Sequence, residues 1–209
     1  MQAMKPSENT SILDVGVTCD QEHDESNFFE HLYPHKTKLT CVGIEDGSFL
    51  EKKYPGITFQ KIKSDEPLPF ADGQFDIVYS NAVLEHVGDR KSQRVFVAEL
   101  CRVGRRVFLA APNRLFPVEH HTALPLLHYL PNSVFRKIAK ILGLAFWADE
   151  KKLNLFYPWK LIEFFPKTLR PRISYAGIGW GIWKSNVFAY TDGFREPVRK
   201  GSRPRTTMA

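Results

Sequence analysis

The sequence predicts one α/β domain: a mostly parallel sheet with helices on both faces, closed by an antiparallel terminal strand. Three observations lead there. From Ser11 to Ala111, short apolar runs alternate with polar turns and amphipathic stretches, the pattern of strands buried between two helical layers. The 209 residues allow a single domain with a substantial core and are too few for two. Beyond Ile173, aromatic and β-branched residues return around GIGWGIWKSN, which suits a closing pair of strands.

Taken in order, Ser-Ile-Leu-Asp-Val-Gly (11–16) reads as a buried strand running into a turn, and SNFFEHLYP (26–34) as an inserted loop or helix. LTCVGI (39–44) is a second strand, followed by Glu45-Asp46-Gly47. A helical stretch from Ser48 to Tyr54 ends at Pro55-Gly56, and ITFQKI (57–62) alternates as a third strand. FDIVY (75–79) is a fourth strand. Asp89 is placed to cap a helix running to Val103, with Phe96, Leu100 and Val103 on one face. RVFLAA (106–111) is a fifth strand, stopped by Pro112. Residues 114–170, rich in aromatics and proline, read as a helical cap, so the domain occupies 1–192.

Composition narrows the function classes. Hydrophobic residues make up 43% and charged residues 25%, ordinary for a soluble globular chain. No apolar run reaches the roughly 18 residues of a spanning helix, and MQAMKPSENT lacks a signal-peptide core. A cytoplasmic location is expected, with contact at the inner face of the membrane left open. Cys19, Cys41 and Cys101 form no CxxC pair, so neither a disulfide framework nor a structural zinc site is expected. Residues 193–209 carry five basic residues against Glu196 alone, +4 of the net +6. That composition reads as a basic disordered tail, and the near-neutral remainder argues against a nucleic-acid partner.

In a doubly covered parallel sheet, ligands sit beyond the carboxyl ends of the strands. Asp14 and Gly16 end the first strand. Glu45 and Asp46 end the second, where a carboxylate can take ribose hydroxyls or cap the next helix. Asp65 follows the third, Asn81 the fourth and Asn113 the fifth.

ILDVG (12–16), LPFADGQFDIVYSNAVLEHV (68–87) and RRVFLAAPN (105–113) resemble class I S-adenosylmethionine-dependent methyltransferases of the ubiquinone/menaquinone-biosynthesis-like group. The resemblance implies a Rossmann-like, seven-stranded methyltransferase fold and S-adenosylmethionine as cofactor. It implies Asp14 and Gly16 at the methionine part, Glu45 at the ribose, Asp65 and Glu66 near the adenine, and Asn81 near the sulfonium. His86 would then approach the acceptor. The sequence departs from the family at three places. Val17, Thr18 and Cys19 stand where glycines are usual, with an acidic run (Asp20, Glu22, Asp24, Glu25) behind them. Asp14 and Glu45 are 31 residues apart, against the usual interval of about 20. Ser64 stands where an acid is expected.

For an acceptor oxygen a general base helps, and histidine suits neutral pH. The candidates are His86, His120 and His121, with Glu119 to orient an imidazole and Asn113 to position the acceptor. Each histidine can equally be a packing or surface residue. No metal set is expected from Glu119, His120 and His121, because adjacent residues rarely converge on one ion. VFRKIAKILGLAFW (134–147) puts Val134, Ile138, Ile141 and Leu142 on one side and Arg136, Lys137 and Lys140 elsewhere, suiting a lid or a membrane-surface helix. The resulting expectation is methyl transfer, most simply to oxygen, on a small-molecule, glycan or lipid-linked acceptor. Bacterial enzymes resembling this chain, associated with cell-surface glycan synthesis, imply a sugar hydroxyl. The alternative is a catalytically inactive methyltransferase fold that binds a partner or a membrane. A nicotinamide oxidoreductase is disfavoured, since no GxGxxG follows the first strand.

Overall fold

The computed structural model describes residues 4–23, 26–149 and 152–192. Asp24, Glu25 and the basic tail 193–209 lie outside the described residues.

Seven strands form one sheet: β1 (Ile12–Val15), β2 (Leu39–Gly43), β3 (Thr58–Lys61), β4 (Phe75–Asn81), β5 (Gly104–Pro112), β6 (Arg172–Ala176) and β7 (Asn186–Tyr190). Their order across the sheet is β3-β2-β1-β4-β5-β7-β6. β1 to β5 pair in parallel, whereas β7 runs antiparallel to both β5 and β6. Strand order reverses between β1 and β4, so the chain leaves their carboxyl ends in opposite directions and opens a crevice there.

All four residues of β1 and the last six of β5 are buried. That explains why these strands read as unbroken apolar runs. One cluster packs Leu13, Val78, Leu100, Val107, Leu109, Leu161 and Phe165 on one face of the sheet. The second packs Ile12, Leu39, Leu50, Ile77 and Phe108 on the other.

The five helices are short except α3 (Arg90–Val103); the others are α1 (Phe28–Leu32), α2 (Phe49–Lys53), α4 (Asn132–Ile141) and α5 (Pro158–Ile162). Asp89 caps α3 by accepting from the Ser92 amide at 2.8 Å, satisfying one of the first-turn donors. The LPFADG turn ahead of β4 is held from α3: Arg102 donates to the carbonyls of Leu68 and Phe70 and pairs with Asp72 and Glu99. The Asp of that segment is thus a structural anchor.

The 134–147 stretch differs from expectation. α4 buries Phe135 and Ala139, while Val134, Ile141 and Leu142 face solvent. The face that packs is set one residue round from the one read in the sequence.

Candidate active site

At the carboxyl end of β1 the chain turns through Gly16, whose φ is +109°. Only glycine takes that angle without strain, and a Cβ there would lie 2.1 Å from Val83 Cγ2. The turn opens a cleft of about 200 Å³ lined by Asp14, Gly16, Thr18, Glu30, Tyr79, Asn81 and Ala82, among others. Asn27, also at the cleft, clasps the loop: its amide oxygen accepts from Thr18 N and its amide nitrogen donates to Thr18 O, both at 3.0 Å. Of the side chains standing in place of glycines, Val17 and Thr18 both line the cleft. Val17 is buried in the core. Asp20 is turned into its own loop, accepting from Glu22 N, Ser26 Oγ and the His23 ring.

The cleft floor holds a residue that sequence reasoning missed. Glu30, on α1, is buried beside Asp14 and hydrogen-bonds it. Burial, then the Glu30 charge, push the Asp14 carboxyl well above the usual carboxylate range. The Cys41 thiol donates to Glu30 Oε1 at 3.4 Å. Tyr79 stacks on Phe29 at 4.4 Å, and burial pushes its phenol up. The signal available beforehand was an acid set inside the apolar FFEHL stretch, without any indication of what it would face.

Of the residues expected at the cofactor, Asp14, Gly16 and Asn81 meet at this cleft, whereas Glu45, Asp46 and Asp65 are not among its lining residues. Glu45 is exposed past the end of β2 and accepts from the Cys19 thiol at 2.9 Å. Asp46 accepts from Ser48 N at 3.0 Å, a turn-closing bond that lowers its carboxyl below the usual value. Asp65 is exposed in the turn after β3.

Beyond the cleft, a 3-10 turn (Leu84–His86) follows directly from the lining residues Asn81 and Ala82. His86 Nδ1 lies 2.7 Å from Lys152 O. Its ring stands edge-on to His121 at 5.1 Å, and Trp147 lies 4.8 Å from His121. Glu119 Oε1 is 2.9 Å from His121 Nδ1, so the expected orienting carboxylate is in place for His121. Burial raises the Glu119 carboxyl, but hydrogen bonds from His121 and Thr122 outweigh it and bring it down to about 2. Glu85 behaves oppositely. It is 1% exposed, neither carboxylate oxygen has a hydrogen-bond partner, and burial raises it to about 7.

Two expectations are corrected here. His120 does not join His121; its Nε2 lies 3.0 Å from Ser185 O, at the foot of β7. Asn113 is buried and occupied: its amide donates to Ile182 O and Lys184 O and accepts from Leu115 N. It ties β5 to the β6–β7 connection, and both its amide protons are committed there.

A larger, shallower recess of about 470 Å³ lies by Glu8, His35, Lys36 and Pro55. It opens at the amino ends of the strands, the end opposite to ligand sites in such sheets.

Residues 27–107 match the family model described as "Methyltransferase domain". Among solved structures, the fold is similar to that of the YcgJ protein from Bacillus subtilis, with a TM-score of 0.53 and 16% identity, covering 83% of this chain and 66% of that one. It is similar to N-methyltransferase NodS from Bradyrhizobium japonicum, with a TM-score of 0.51 and 11% identity over 89% of this chain and 86% of that one. It is also similar to the CurJ carbon methyltransferase, with a TM-score of 0.54 and 15% identity over 93% and 51%. No curated protein sequence matches the chain. At these identities the structural likeness is one of fold, and one fold carries nitrogen and carbon methylation alike. The family match and the fold agree with the resemblance carried by residues 68–87 and 105–113.

Proposed function

We propose that this chain, a methyltransferase domain by family match and fold, methylates a hydroxyl of a small-molecule, sugar or lipid-linked acceptor. When bound, S-adenosylmethionine supplies a methyl group already activated on positive sulfur. The residues present suit it. The Asp14–Glu30 pair puts two acidic groups at the floor of a cleft next to a glycine turn, a receptor for a cationic amino group. Glu45 stands past β2 for the ribose, Asp65 and Glu66 past β3 for the adenine, and Asn81 at the mouth of the cleft.

The observation that carries the oxygen assignment is His121. With Nδ1 held by the ionised Glu119, its Nε2 is the basic nitrogen, and its ring lies against His86, which follows the cleft residues Asn81 and Ala82 by one turn of chain. A base so oriented removes a hydroxyl proton as the oxygen attacks in line, with reacting atoms about 3 to 3.5 Å apart. A neutral nitrogen acceptor, which attacks through a free lone pair, has less need of it.

Among the described residues no helix is long and apolar enough to cross a membrane. A lipid-linked acceptor is favoured by the cap: Val134, Ile141, Leu142 and Phe146 are exposed beside Arg136, Lys137 and Lys140. The same surface supports the second reading, a fold that only binds a partner or membrane.

Calorimetry of S-adenosylmethionine binding, beside Asp14→Ala, tests the site. Transfer of labelled methyl to glycan and quinone-like acceptors then tests the reaction, beside His121→Ala. Binding without transfer to any acceptor class would favour the second reading; no binding by the folded chain would end the first.

A further inference from the structure

We infer that Glu85, His86 and His121 form a site for a divalent transition-metal ion. One ligand atom from each of the three lies within 4.8 Å of the other two, although 35 residues separate His121 from His86 in sequence. Two histidines and one carboxylate are a set that takes zinc, iron or manganese-class ions and leaves positions open for a further ligand.

Two independent features point to an ion there. The first is Glu85. A buried carboxylate without a hydrogen-bond partner is costly, yet both Glu85 oxygens are in that state at 1% exposure. A bound cation is what would satisfy them. The second is the way the histidines are held. His121 Nδ1 meets the Glu119 carboxylate at 2.9 Å, and His86 Nδ1 meets the Lys152 carbonyl at 2.7 Å. Acceptors on both Nδ1 atoms put the proton there and leave Nε2 with the lone pair. Carboxylate and carbonyl partners of this kind are the usual second layer around metal-bound imidazoles. Around a zinc-sized ion, ligand atoms stand about 3.3 Å apart, so closing on the ion takes a shift of about 1 Å in side chains on a short turn and a loop.

The inference builds on the acceptor-side position of these histidines in the proposed function, but not on methyl transfer itself. An ion at this place would take up the His121 Nε2 lone pair that serves as the base in that reading, and would activate an acceptor hydroxyl in its stead by lowering its pKa. It would also draw acceptors with adjacent oxygen donors.

The test uses the full chain, treated with chelator and titrated with zinc(II) by calorimetry and with cobalt(II) by visible absorption. The expected result is one ion per chain, with the cobalt bands of mixed nitrogen and oxygen ligation. Glu85→Gln and His121→Ala should each lose at least about 100-fold in affinity, and Glu119→Gln about 10- to 100-fold. Thermal melts establish that each variant is folded, and His86→Gln serves if one is not. Absence of stoichiometric binding by the folded wild type overturns the site, as do folded Glu85→Gln and His121→Ala variants that bind as the wild type does. S-Adenosylmethionine binding on the same samples separates the two ideas: cofactor bound without metal sinks this inference alone, and metal bound without cofactor sinks only the methyltransferase reading.

Discussion

Gly16 and Val83 meet where the loop after β1 crosses the turn after β4, close enough that a methyl on Gly16 would stand 2.1 Å from Val83 Cγ2. The two loops that bound the cleft are therefore keyed to each other by the absence of one carbon. Gly16→Ala should lower stability by about 2 to 4 kcal/mol, part from the left-handed φ and part from the clash, and should abolish cofactor binding. Adding Val83→Ala should restore some of the loss in urea unfolding, because the clash goes while the φ strain stays. Full stability in the single variant would show that the loops part easily.

Glu119 and Glu85 should give opposite pH slopes. Glu119 sits at about 2 in the folded protein, below its unfolded value. Its contribution is present above about pH 4.5 and is lost as the pH falls through 2. Glu85 sits at about 7, above its unfolded value, so its contribution is complete below about pH 4.5 and fades as the pH rises through 7. Each is worth about 3 kcal/mol. In metal-free protein, Glu85→Gln should flatten the decline in stability between pH 5 and 8, and Glu119→Gln the decline below pH 4. Unchanged slopes in denaturant unfolding would contradict these assignments.

Cofactor binding should release a proton. Burial and the neighbouring Glu30 raise the Asp14 carboxyl well above the usual range, and an ammonium group favours its ionised form. Affinity for S-adenosylmethionine should therefore rise with pH up to the Asp14 pKa. Glu30→Gln removes the neighbouring carboxylate and should shift that rise to lower pH. Calorimetry in buffers of different ionisation enthalpy reads the proton directly, and proton uptake would refute the arrangement.

Cys19 is the exposed cysteine of the three, and its thiol donates to Glu45. That hydrogen bond raises the thiol pKa and slows alkylation, since the thiolate is the nucleophile. Glu45→Gln should speed iodoacetamide labelling several-fold at pH 8. If Glu45 takes the ribose, S-adenosylmethionine should protect Cys19 in the wild type; labelling indifferent to cofactor would move the ribose elsewhere.

Much of the sheet was legible because its signals are local. β1, β2, β4 and β5 are apolar runs closed by an acid, an Asn or a Pro, and α3 announces itself through Asp89 and the spacing of Leu100 and Val103. The site was legible only where family-like residues end strands, at Asp14, Gly16 and Asn81. Glu30 was hidden because its position depends on how α1 folds back over β1. His120 and His121 are neighbours in sequence, but the turn sends one to Ser185 and the other to Glu119. Asn113 looked available at a strand end, and only the return of β7 reveals what occupies it. Periodicity gave the wrong face of α4 because Phe135, left out of the apolar set, is the side chain that packs.

The segment between Asn113 and Phe156 enters and leaves the sheet at one spot, where those two residues form a bridge. It carries Glu119, His121 and Trp147, while the register of every strand is set outside it. Such an insert can be exchanged as a cassette: a graft from another chain, spliced at the bridge, could retune acceptor choice without disturbing the cleft at β1 and β4. Divergence of acceptors on a shared scaffold needs no more than that seam.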